Sequence, residues 1–206
     1  GGGADTFTVT SAGLTSADTI AGGAGTDVLS ASNAPTYVDA DFTNVTSLET
    51  LTNAATNGAN IITLGSLADA AGVATITGVG TGVDTVTVGA GFDNALLVTL
   101  GTGADDIDAS ASAAAVTFAA AAASITTADT LLGGTGSSDV FKVTADSNNT
   151  GLVFGASATG IETITVVAAT TNTVKITTVD GNVTDTTGSL TVDGSALTST
   201  AATLTF

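Results

Sequence analysis

The sequence predicts an all-β chain wound as a parallel β-solenoid, and three observations carry that expectation. A nonapeptide of the form Gly-Gly-x-Gly-x-Asp-x-apolar-x stands intact as GGAGTDVLS over 22–30, a spacing that makes a tight turn and then leads the chain into a short strand. Weaker copies recur: VGTGVDTVT and VGAGFDNAL, over 79–96, place Gly80, Gly82 and Asp84 nine residues before Gly89, Gly91 and Asp93. Between these clusters lie short runs of Val, Ile, Thr and Leu in apolar and polar alternation, the period of a strand.

Taken in chain order, the opening GGGADTF matches only the second half of the unit at Gly3, Asp5 and Phe7, as expected if 1–206 is one segment of a longer solenoid. A strand follows at Thr6 to Thr10, and Asp18 and Asp27 again stand nine residues apart. A short helical turn fits Leu67 to Ala71, and strands fit Thr85 to Val88 and Ala95 to Leu100. LGTGADDID, over 100–108, supplies Gly101, Gly103 and Asp105, whereas GGTGSSDVF, over 133–141, carries one extra residue before Asp139. The run Ala113 to Ala123 is open between helix, which alanine favours intrinsically, and strand, which Val116, Thr117 and Phe118 favour. A further strand fits Glu162 to Val167.

A longer repeat overlies the short one. SADTIAGGAGTDV aligns with TADTLLGGTGSSDV so that Asp18 faces Asp129 at an offset of 111, VTSLETLT aligns with ATGIETIT through Glu49 and Glu162 at 113, and Asn60 aligns with Asn172 at 112. The two long copies span approximately 11–110 and 122–206.

Composition narrows the function classes. Two lysines, no arginine and nineteen acids give a formal charge of −17, which disfavours nucleic acid because phosphate binding needs a basic surface. A hydrophobic share of 43% and a mean hydropathy of +0.50 are too apolar for a solvated acidic tail, so the chain is expected to fold. The carboxylates call for cations, and with no His and no Cys the oxygen-only donor set suits Ca²⁺ and not a transition metal. No run is long and apolar enough to span a bilayer as a helix. The sequence holds neither a signal peptide nor a methionine, so it is expected to be a processed or excised portion of its parent.

These motifs resemble the repeats-in-toxin (RTX) family of type I exported bacterial proteins, and the Thr-rich units VTSLETLT, ATGIETIT and DGSALT are similar to its surface-layer and large adhesin-like members. The resemblance implies a right-handed parallel β-solenoid (β-roll or β-helix) with Ca²⁺-binding Gly/Asp turns, completed by calcium outside the cell. It implies Asp27, Asp84, Asp93 and Asp105 as metal ligands, with Asp5, Asp18, Asp129 and Asp139 as further candidates. Main-chain carbonyls at Gly23, Gly25, Gly80, Gly82, Gly89, Gly91, Gly101 and Gly103 would assist. Val79, Val88 and Leu100 stand where the family places its first glycine, which implies an irregular solenoid with isolated sites.

Against each sharp reading stands a plain one. The aspartates could simply accept N–H bonds at corners, as Asx turns do. Asp106 and Asp108 could join the Asp105 site or face solvent. Glu49 and Glu162 form no evident acid/base pair, and hydroxyl nucleophiles would need an activating base. Lys142 and Lys175 sit in strand-like segments, Lys142 offsetting nearby acids, and the seven phenylalanines read as core fillers. Asn44, Asn148 and Asn182 head Asn-x-Thr sequons, which a Thr-rich sequence produces often by chance.

The expected function is that of a structural, non-enzymatic component of a secreted surface layer (S-layer) of a Gram-negative cell. Its expected partners are Ca²⁺, copies of itself in a lattice and, through another domain, lipopolysaccharide or an envelope anchor. The alternatives are a calcium-stiffened stalk of an adhesin and an accessory domain of an exported enzyme.

Overall fold

In the computed structural model the described residues are 1–10, 13–53, 58–78, 81–136, 138–145, 151–167, 173–182, 189–197 and 203–205. They form an all-β solenoid in which every paired strand runs parallel to its neighbours. One sheet has nine strands, stacked in chain order: Thr6–Val9, Val28–Ala31, Thr50–Asn53, Thr75–Thr77, Leu96–Thr99, Val116–Ala121, Val140–Ala145, Thr163–Val166 and Thr191–Asp193. Facing it is a sheet of six: Thr36–Tyr37, Ile61–Leu64, Thr85–Val88, Asp106–Asp108, Thr130–Leu132 and Ala158–Thr159. Smaller sheets pair Ile20–Ala21 with Val45–Thr46, and Leu152–Val153 with Thr173–Thr177 and Thr203–Thr205.

The coil period differs from the nine-residue spacing of the motifs. Thr6 pairs with Val28 and Val28 with Thr50, two steps of 22 residues. Later steps run from 20, Leu97 to Thr117, to 28, Thr163 to Thr191. A nine-residue step therefore covers one side of a coil, and a full pass needs both sheets and two corners.

Strand alternation places the core. The inward column of the nine-stranded sheet runs Phe7, Leu29, Leu51, Ile76, Val98, Phe118, Phe141, Ile164 and Val192. That of the six-stranded sheet runs Tyr37, Ile62, Val86, Ile107, Leu131 and Ala158. These side chains are buried except at the first and last coils, where Phe7 and Val192 are partly exposed. Burying each large one is worth about 1.5–3 kcal/mol. Phe42, Phe92 and Phe154 are also buried, Phe154 edge-on to Phe141 at 4.9 Å between ring centroids.

The alanine-rich run resolves as strand Val116–Ala121, followed by a 3₁₀ turn at Ala122–Ser124. Its neighbours on both sides already offer a parallel ladder, and tertiary pairing overrides a propensity worth only tenths of a kcal/mol per residue, about 0.7 at most. The helical turn near Leu67 is present as Ser66–Ala71, ended by Gly72 at φ 99°.

Candidate corner sites

Each pass turns where a strand begins, and the acids collect there in columns. The residue before each strand of the nine-stranded sheet, or the strand's first residue at Leu96 and Val116, forms the row Asp5, Asp27, Glu49, Ala74, Leu96, Val116, Asp139, Glu162, Leu190. The main-chain N–H of one member points to the next coil, where a carboxylate receives it. Asp5 donates to Asp27 Oδ1, Asp27 to Glu49 Oε2, Val116 to Asp139 Oδ1 and Asp139 to Glu162 Oε2, each at 2.7 Å. The second sheet begins with the row Asn60, Asp84, Asp105, Asp129. Here the Asn60 N–H meets Asp84 Oδ1 at 2.8 Å, that of Asp84 meets Asp105 Oδ1 at 2.9 Å, and that of Asp105 meets Asp129 Oδ1 at 2.8 Å.

The side chains thus extend the sheet's hydrogen bonding by one residue where the backbone has already turned away. A charged acceptor on a buried N–H makes a strong bond, so these acids splice one coil to the next.

Two corners leave an oxygen over. Asp27 and Asp105 are 0% and 1% exposed, and Oδ2 of each is buried with no hydrogen-bond partner. At the first corner, Asp27 Oδ2 and the Ser47 carbonyl both crowd the Cα hydrogens of Gly22. Ser47 is held at φ 52°, alone among the described non-glycine residues in having a positive φ. Two oxygen acceptors brought together, the carboxylate one with no donor, fit a hard cation, and the all-oxygen donor set suits Ca²⁺. Among the described residues no three acids surround a common point, so an ion at either corner would rest on one carboxylate and on main-chain carbonyls.

The other candidates are placed differently. Asp139 spends Oδ2 on the Gly134 N–H, and Asp129 Oδ2 accepts from both N–H and Oγ1 of Thr126. Asp18 holds Thr15 in the same way, so this local clasp recurs 111 residues later. Asp84 Oδ1 takes a second bond from the Asn60 amide, and Asp5 Oδ2 lies 3.5 Å from the Gly1 amino group. Asp93 sits at the opposite end of strand Thr85–Val88 from Asp84, in a third column where its N–H and that of Asn94 bond Asp69 Oδ1. The nine-residue register therefore does not bring Asp84 and Asp93 into one site.

The glycines serve the stacking of turn on turn. Gly23 and Gly25 take φ of 102° and 133° and pack over Gly1 and Gly3 of the preceding coil. Gly82 packs on Gly58 and Gly103 on Gly82, while Gly89 and Gly91 lie against Leu64 and Ser66. Gly101 precedes that turn as a half-buried residue, and Gly80 lies outside the described residues. Asp106 is exposed, Asp108 Oδ1 holds Ser110, and Lys142 lies half-buried on the outer face beside Thr117 and Leu97. The Asn182 amide is buried and bonded to the Gly155 and Ala158 carbonyls, which closes that sequon to glycosylation. Asn148 lies outside the described residues.

Sequence reasoning missed Glu49, Glu162 and Asn60 as column members. Their signal is position, immediately before a strand and one coil from an aspartate.

Burial pushes the Asp105 carboxyl up to about 6 from an ordinary 3.8, with the Asp84 and Asp129 charges adding to the effect. Burial also raises Asp84 and Asp139. A carboxyl with a raised folded value binds its proton more tightly folded than unfolded. Between 3.8 and about 6 the folded chain holds the extra proton, and stability falls as pH rises through that window. In calcium-free buffer the thermal midpoint should therefore be higher near pH 5 than near pH 7.5, and the shrinking net charge acts in the same direction. A midpoint that falls on acidification over that range would contradict this.

The fold and its corners define a class, a parallel β-solenoid whose coils are joined by buried carboxylates. Comparison with family models, with curated proteins and with solved structures gives no match.

Proposed function

We propose that this chain is a structural, non-enzymatic element of a secreted, self-assembling bacterial surface layer, folded and assembled with Ca²⁺. The observation that carries the reading is the pair of buried, donorless oxygens, Asp27 Oδ2 and Asp105 Oδ2, in a chain of net charge −17. Without a counter-charge each burial is costly. A hard dication bound at a corner would offset that charge, so its binding free energy becomes folding free energy. The residues that would hold it are Asp27 with the Ser47 carbonyl, and Asp105. Their Oδ1 atoms stay on the N–H groups of Asp5 and Asp84, so each carboxylate would face the ion and the neighbouring coil at once. Affinity is expected in the extracellular range, roughly 10⁻⁴ to 10⁻³ M.

The non-enzymatic part of this reading rests on how the acids of the row are used. Asp27, Asp139, Glu49 and Glu162 are engaged by main-chain N–H groups, and Glu49 and Glu162 stand five passes apart in one row.

Circular dichroism during calcium titration tests the proposal, with magnesium as control and electron microscopy of the product. Strand content and thermal midpoint should rise with calcium, and Asp27→Asn with Asp105→Asn should remove most of that rise. Full strand content in chelator, with a midpoint indifferent to calcium, would refute the calcium dependence.

A further inference from the structure

We infer that two opposite faces of the solenoid are complementary, and that copies of this chain dock side by side, the outer face of the nine-stranded sheet on the outer face of a second copy's six-stranded sheet. The inference rests on the assembling role proposed above and names the lateral contact.

Charge distinguishes the two faces. The nine strands of the larger sheet hold two charged residues, Lys142 and Asp193, and the six strands of the smaller sheet hold two, Asp106 and Asp108. In a chain of net charge −17 the larger sheet is thus a neutral face, where a second acidic copy meets little repulsion. Asp106 is exposed beside buried Ile107, so its carboxylate points outward. Lys142 points outward in the same way, between buried Phe141 and Val143. Among the described residues the one ion pair joins the Gly1 amino group to Asp5, so Lys142 finds no acid partner among them.

Apolar surface matches as well. Beside Lys142 the larger sheet carries an open groove of about 330 Å³, walled by Ala74, Ala95, Leu97 and Thr117. On the smaller sheet Ile61 is 50% exposed, and of the five exposed large apolar side chains it alone lies within a strand. Burying such a side chain is worth about 1.5–3 kcal/mol.

The spacings agree. Leu97 and Lys142 stand two strands apart in the larger sheet, and Ile61 and Asp106 stand two strands apart in the smaller. Both steps run in chain order, and each spans about 10 Å. A second copy translated sideways with its axis parallel therefore brings Ile61 to the groove at Leu97 and Asp106 to Lys142 together. An ion pair at a surface adds little affinity, but it fixes register and penalises wrong alignments. Every strand named here is paired on both sides, so these faces do not depend on the coils beyond. The contact is heterologous and translational, and it generates an open row of solenoids.

The test is sedimentation of the full chain across a dilution series in calcium buffer, with circular dichroism as a check of folding and electron microscopy of the product. The wild type should give an open-ended mass series and rows of solenoids lying side by side. Lys142→Glu and Asp106→Lys should each raise the concentration of half-assembly by about tenfold or more, since like charges then meet at the contact. The double variant carries the exchanged pair and should return close to the wild type. Both side chains lie outside the core, so all three proteins should stay folded. Lys175→Glu changes net charge by the same amount on an exposed side chain outside both sheets, and it should assemble like the wild type. The chain has no cysteine of its own. Ile61→Cys mixed with Ala95→Cys should therefore form a disulfide between the two proteins under mild oxidation, and each alone far less. A folded wild type that stays monomeric, a double variant no better than the single ones, or Ile61→Cys crosslinking alone as well as in the mixture would each overturn the inference. Rows unaffected by Lys142→Glu would end this contact and leave the surface-layer reading standing. Rows that form equally in chelator and are lost in Lys142→Glu would support the contact while removing the calcium dependence.

Discussion

Replacing Asp105 by alanine is expected to destabilise the solenoid by about 3 kcal/mol, whereas asparagine at the same place stabilises it by about 2 kcal/mol in calcium-free buffer. The opposite signs follow from the two jobs of the side chain. Oδ1 receives the buried N–H of Asp84 at 2.9 Å, and alanine leaves that donor unsatisfied beside a small void. Asparagine keeps the acceptor and removes the charge that burial penalises, the penalty that lifts the carboxyl to about 6. The row already holds an uncharged member one coil before Asp84, Asn60, whose side-chain amide donates to Asp84 Oδ1 at 2.7 Å. Chemical denaturation of the three proteins in chelator measures both effects. Equal losses for Asp105→Ala and Asp105→Asn would show that the charge itself stabilises the corner. The asparagine variant should also flatten the acid side of the pH profile, because it removes a carboxyl that burial raises to about 6.

Gly103→Ala is expected to cost about 3 kcal/mol, the upper part of the range for forcing atoms into a packed site. Gly103 does not have a positive φ, so backbone freedom alone predicts the reverse, a gain of about 0.4–1 kcal/mol from a stiffer unfolded chain. The added methyl group would instead collide with the Gly82 carbonyl of the preceding coil. That neighbour is main chain, tied into its own turn over Gly58, so it cannot swing aside. Gly181→Ala is the control, since its nearest neighbour would be the Ala156 carbonyl at 3.8 Å, and it should be close to neutral. Thermal unfolding of the pair distinguishes close stacking from turn conformation. A stabilised Gly103→Ala would mean that the coils do not approach as closely as described.

Much of the strand structure is legible by alternation. Thr85–Val88 is found at its bounds, and the inward placing of Phe92, Phe118 and Phe141 follows from their apolar character. The Ala113–Ala123 run is not legible, because the preference of alanine for helix is weak beside two parallel partners. The column partners are hidden for a different reason. Asp27 and Glu49 are equivalent in the fold, yet they differ in type and stand 22 residues apart, while the eye is drawn to aspartates nine apart. The motif of nine records how one turn enters one strand. The coil is closed by hydrogen bonds between strands, whose spacing depends on how many residues each corner takes.

The sequence by itself determined that this chain is a β-solenoid of short strands with acidic, glycine-rich corners, because alternation and turn chemistry are local properties. Only the tertiary structure decided which acids share a column, that most accept main-chain N–H groups from the preceding coil, and that Asp27 and Asp105 each keep one oxygen without a donor. Those outcomes depend on the register between coils. Register is set by the summed lengths of two sheets and their corners, and no single motif contains that sum.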